Sequence, residues 1–118
     1  MSLTETRLEL ADVLSGSGYS LYSYPSETMI APCVVLVPGQ PYVTWDTFDS
    51  QSMKFNITLV VNNADNQAAL VNIENMIDEV IDVIPTYAII GDFTQPQITT
   101  IGSTDYLTSD ITLEVKVN

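Results

Sequence analysis

Between Met53 and Ile84 the hydrophobic period of this chain changes, and that change limits the folds open to it. Met53, Phe55, Ile57, Leu59 and Val61 alternate with more polar residues, the pattern of a strand with one face on a core. Asn62 to Asn66 then offers a helix N-cap, where Asn or Asp accepts a backbone hydrogen bond. From about Asp65 the apolar residues Leu70, Ile73, Ile77, Val80 and Ile84 follow at spacings of 3, 4, 3 and 4, a narrow helical stripe that Pro85 closes. A strand that runs directly into an amphipathic helix calls for a layered fold, with the helix lying on a sheet.

The flanking segments extend this pattern. Ser2 and Glu5 have capping-box spacing, and Leu3, Leu10, Val13 and Leu14 share one helical face before Ser15-Gly16-Ser17-Gly18 ends the helix. Tyr19 to Tyr24 reads as a short strand. Cys33-Val34-Val35-Leu36-Val37, apolar on both faces and bounded by prolines, reads as a central strand. Pro38 to Ser50 is rich in turn residues and aromatics and reads as a projecting loop or hairpin tip. Strands are expected at Tyr87–Ile90, Gln97–Ile101 and Ser109–Val117. The order is α-β-β-β-α-β-β-β. It predicts an α+β fold in which a mixed or antiparallel β-sheet is packed by two α-helices, with residues 1–118 forming one domain.

Charge narrows the function. There are 15 acids against three bases (Arg7, Lys54 and Lys116) and no histidine, for a net charge of −12. The acids are near ordinary abundance; the bases are missing. Phosphate backbones need Lys and Arg to neutralise them, so duplex DNA, RNA and anionic membranes should be repelled. Without histidine there is no imidazole metal ligand, no His-based triad and no ordinary proton shuttle at pH 7. One cysteine, Cys33, allows neither an internal disulfide nor a thiolate zinc site. The glycines form no phosphate-binding fingerprint. No cofactor or metal is expected, and the chain reads as a non-enzyme. The N-terminal sequence lacks the basic and apolar regions of a signal peptide. No apolar run approaches the roughly 20 residues of a membrane helix, so a soluble, intracellularly made protein without membrane contact is expected.

Two surfaces stand out. Glu74, Asp78 and Asp82 lie four residues apart along one line of the second helix, with Glu79 beside them. Like charges at this spacing cost about 0.2–0.5 kcal/mol per pair. The line is either a solvated helix face or the wall of an acidic channel that repels polyanions. Tyr42, Trp45 and Phe48 in the Pro38–Ser50 segment are either interface anchors or residues that fold back onto the core. Leu8 and Val71 lie off the core stripes of their helices and are candidates for burial against a neighbour.

This organisation is similar to that of the tail terminator proteins of long-tailed bacteriophages of the siphophage, lambda type. The likeness rests on Ala31-Pro32-Cys33-Val34-Val35-Leu36-Val37-Pro38 after an N-terminal helix and strand. It continues in Phe55-Asn56-Ile57-Thr58-Leu59-Val60-Val61-Asn62-Asn63 and in the helix Asn66 to Ile84 with Met76-Ile77-Asp78-Glu79-Val80-Ile81. The resemblance implies a structural virion protein of the tail or neck, assembled in the host cytoplasm. Such a protein forms a homo-oligomeric, hexameric ring that caps the tail tube and ends its polymerisation. It would contact the major tail tube protein and the head–tail connector protein, and DNA would pass without specific binding. The family offers no short signature to carry over, so the candidate interface and channel residues rest on the reading of the residues above. Two other readings stay open: another head–tail neck protein, or an acidic DNA mimic that inhibits a nucleic-acid-binding enzyme.

Overall fold

A computed structural model describes residues 3–22, 30–47, 50–63, 66–85, 88–101 and 103–117. The elements are α1 (Leu3–Ser15), β1 (Ser20–Tyr22), β2 (Cys33–Thr47), β3 (Ser50–Asn62), α2 (Asn66–Val83), β4 (Ala88–Ile90), β5 (Gln97–Ile101) and β6 (Thr104–Val117). The fold is α+β in the expected order. Six strands form one mixed sheet, ordered β1-β2-β3-β6-β4, with β5 also on β6. Among the described residues only β1 and β2 run parallel; the other pairs are antiparallel.

Length sets the shape. A 15-residue strand at about 3.3 Å per residue spans roughly 50 Å, and the molecule measures 50 × 26 × 22 Å. β2, β3 and β6 therefore run along nearly the whole long axis. β4 and β5 follow β6 one after the other. Between them the Gly91 N–H donates to the Thr112 carbonyl at 2.9 Å and the Thr94 N–H to the Asp110 carbonyl at 2.8 Å, so residues 88–101 trace a nearly continuous edge.

The two sheet faces differ. Val34, Leu36, Met53, Phe55, Ile57, Leu59, Val61, Ile111, Leu113 and Val115 point to one face and are buried under Leu10 and Leu14 of α1 and Ala69, Ile73, Met76 and Val80 of α2. Each such side chain contributes about 1.5–3 kcal/mol through its removal from water. The other face is polar over most of its length. At one end Cys33, Val35 and Val60 are buried on it, beside Tyr22, Ala31, Val37 and Tyr106.

Two sequence expectations change. Of the two readings of the Pro38–Ser50 segment, the hairpin holds and the loop does not: up to Thr47 the segment continues β2 and pairs antiparallel with β3, and residues 48 and 49 lie outside the described residues. Its turn-like composition marks a bulge. Pro38 opposes Phe55 and Val43 opposes Met53, so β2 carries three more residues than β3 over this stretch. Gly39 sits where a Cβ would stand 2.9 Å from the carbonyl carbon and oxygen of Lys54, which admits no side chain. The buried line of α2 is also rotated. Ile73 and Val80 are buried as expected, but Ala69 and Met76 join them, while Leu70 is exposed and Ile77 only partly buried. The helix lies on the flank that carries the small Ala69.

Candidate functional site

The outer side of α2 carries the acidic line. Glu74, Asp78 and Asp82 are all exposed. At 100° per residue, Val71, half exposed, stands at the head of the same face. Glu79 lies to one side, where it accepts a hydrogen bond from the hydroxyl of Tyr19 on the α1–β1 connection. Burial, then this hydrogen bond and the negative charge of Glu79, push the Tyr19 hydroxyl from its ordinary 10.0 up to about 12. The pair ties α2 to the start of β1.

A groove of about 300 Å³ opens beside that pair, lined by Tyr19, Pro32, Asn62, Asn72, Asn75 and Glu79. It is not legible in the sequence, because its asparagines come from β3 and from two turns of α2, and only the fold brings them together. Its groups are amides, a carboxylate and a phenol that holds its proton far above neutral pH. That set can hydrogen-bond a polar surface but offers no nucleophile. Cys33, the one thiol, is fully buried, and burial pushes it up to about 11, so it too is a poor nucleophile. Among the described residues no group of three or more His, Cys, Asp or Glu could hold a metal ion. No helix among them is long and apolar enough to cross a membrane.

The candidate interface residues fall on separate elements. Tyr42 is partly buried and turned inward: its ring meets Phe55 edge-on, with centroids 5.6 Å apart and planes at 81°, a favourable aromatic geometry. It belongs to the core margin. Trp45, three residues further along β2, is 69% exposed. Leu8 is 54% exposed on α1. Phe48 lies outside the described residues. Phe93 packs on the main core, and Tyr106 on the smaller apolar cluster. The structure thus gathers Val71 with the acidic line, and leaves Leu8 and Trp45 on surfaces of their own.

A third exposed region was not singled out by sequence. Ile89, Ile90 and Ile98 of β4 and β5 are all exposed along the β6 side of the sheet. Beside them, an apolar cavity of about 340 Å³ is lined by Leu70, Pro96, Ile98 and Leu107, with Asn63 and Gln95 at its margin. Periodicity identified these residues as strand-forming, but edge position depends on pairing order, which a local pattern does not carry.

Compared with known proteins, the chain matches no family model and no curated sequence. The functional reading therefore rests on the fold and its surfaces.

Proposed function

We propose that this chain is a structural virion protein of the tail-terminator type. It forms a hexameric ring that caps a bacteriophage tail tube, ends tube polymerisation and takes part in the head–tail joint. The observation that carries the reading is the element order, α-β-β-β-α-β-β-β. Within it the proline-bounded segment Cys33–Val37 is an interior stretch of a long sheet, and the amphipathic helix lies across that sheet. The surfaces are compatible with such a part. The apolar exposures lie on several sides, as subunits with neighbours on more than one side require, and the acidic line of α2 suits a wall past which DNA slides. In this reading the protein is no enzyme, needs no cofactor, and resides in the virion tail or neck after assembly in the host cytoplasm.

An acidic DNA mimic fits less well. Duplex phosphates run at about one charge per 1.7 Å of axis. Glu74, Asp78 and Asp82 stand roughly 6 Å apart along α2.

The test is a tube-growth assay with a purified major tail tube protein of a long-tailed bacteriophage. Added during polymerisation, the protein should arrest tubes and leave one end visibly capped in negative-stain images. Tubes that grow unchanged, with bare ends at every concentration, would exclude a terminator. Binding to the connector but not to tubes would move the assignment to another neck protein.

A further inference from the structure

The sheet has two edges, and they are finished differently. On the β2 side, β1 covers Cys33 to Val35. Beyond it, Pro38 and Pro41 supply no N–H to an incoming strand, the usual way of blunting an edge. The Tyr42–Thr47 stretch is free of proline, and its outer side pairs with no strand among the described residues. It carries Trp45, 69% exposed. On the opposite side lies β5, Gln97-Ile98-Thr99-Thr100-Ile101. It has no charge, no proline and no glycine, and all but Gln97 are β-branched. Its outer side likewise pairs with no strand among the described residues, and Ile98 is 58% exposed. Natural sheets avoid leaving such an edge uncovered, because it templates further pairing.

The charge distribution indicates what covers it. Residues 28–45 hold no charged side chain, and residues 83–104 hold only Asp92, in a chain of net charge −12. A basic partner would be drawn to the acidic line of α2. A second, equally acidic copy is tolerated where carboxylates do not face one another: β5 carries none, and the Tyr42–Thr47 stretch carries only Asp46, which would meet no charge on β5. Lengths also match: five residues of β5 face an open stretch of six on β2.

We propose that β5 of one copy pairs edge to edge with the Tyr42–Thr47 segment of β2 in the next copy, so that the sheet continues from subunit to subunit. The two edges lie on opposite sides of one sheet, so the contact is heterologous and repeats head to tail, closing into a ring at the right rotation. Main-chain hydrogen bonds supply the pairing, and Trp45 and Ile98 supply apolar area beside it. The inference rests on the ring reading above and names the surfaces that build the ring.

Trp45→Lys and Ile98→Lys each place a charge on one edge and leave the core untouched. Sedimentation velocity over a concentration series should show the unaltered chain associating, and each variant associating at least about tenfold more weakly. Thermal unfolding close to that of the unaltered chain shows that the variants fold. An equal mixture of the two variants should stop at pairs, because Trp45→Lys keeps an intact β5 edge and Ile98→Lys an intact β2 segment, and these meet once. A chain that stays monomeric at the highest attainable concentration overturns the proposal. So does a Trp45→Lys variant that assembles normally while Ile98→Lys does not, the mark of β5 pairing with β5 across a two-fold axis. Assemblies that form through these edges yet leave tail tubes uncapped refute the terminator reading and uphold the edge contact. Assemblies that cap tubes and are indifferent to both substitutions do the reverse.

Discussion

On its sheet side α2 presents Ala69, Ile73, Met76 and Val80, none more than 1% exposed; on its outer side it presents Val71, Glu74, Asp78 and Asp82, all open to solvent. The two sides lie about 10 Å apart, the diameter of one helix, yet they serve different ends. The inner side is where the fold gains its stability, through apolar area removed from water. The outer side lowers helix stability slightly, since its carboxylates repel one another with no base beside them on that line. A surface that costs stability and has no partner among the described residues fits a role outside the chain.

The largest test of this division is Ile73→Ala on the inner side. It should destabilise the fold by about 2–5 kcal/mol in urea or thermal unfolding. A change below 1 kcal/mol would mean that α2 does not pack as described. Next comes Gly39→Ala in the β2 bulge, where close approach rather than charge again decides. A Cβ at 2.9 Å from the Lys54 backbone should cost about 1–3 kcal/mol. Asp78→Asn on the outer side should act in the opposite direction. It removes two like-charge pairs and should stabilise the protein by about 0.4–1 kcal/mol at low salt, less as salt is raised. A loss of stability there would show that Asp78 has an internal structural role.

Tyr19 stands at the boundary between the two sides, and the stability it contributes does not change with pH near neutrality. Its hydroxyl titrates near 10.0 in the unfolded chain and about 12 in the folded one, so the folded state holds the proton more tightly. Its contribution is fully present below pH 10 and is lost as pH rises from there through 12. Tyr19→Phe should therefore show a shallower fall in stability across that window, measured by thermal unfolding at stepped pH. Parallel curves for the two proteins would mean that the Tyr19–Glu79 hydrogen bond does not shift the phenol. Cys33, raised by burial to about 11, adds the same slope to both proteins and cancels in the difference.

Much of this fold was legible in the sequence because its signals are local. The alternation of Met53 to Val61 marked β3, and that of Ile111 to Val115 marked the second half of β6. Ile73 and Val80 marked the helix face. What was hidden depended on pairing at long range. Pro38, Gly39 and Pro41 are turn residues by local preference, but opposite β3 they fit as a bulge in a strand that continues to Thr47. Ala69 is too small to weigh in a hydrophobic pattern, yet it lies on the flank of α2 that meets the sheet. The acidic line was visible from spacing alone. The Asn62–Asn72–Asn75 groove and the uncovered β5 edge were not, because each joins residues whose proximity exists only after folding.

Whether copies of this chain close into a ring is measured directly by particle mass with negative-stain imaging of the purified protein. The expected result is a single closed particle of one diameter, with a mass about six times the 13.0 kDa of the chain. Monomers at every concentration, or open filaments and two-fold dimers in place of rings, would contradict it.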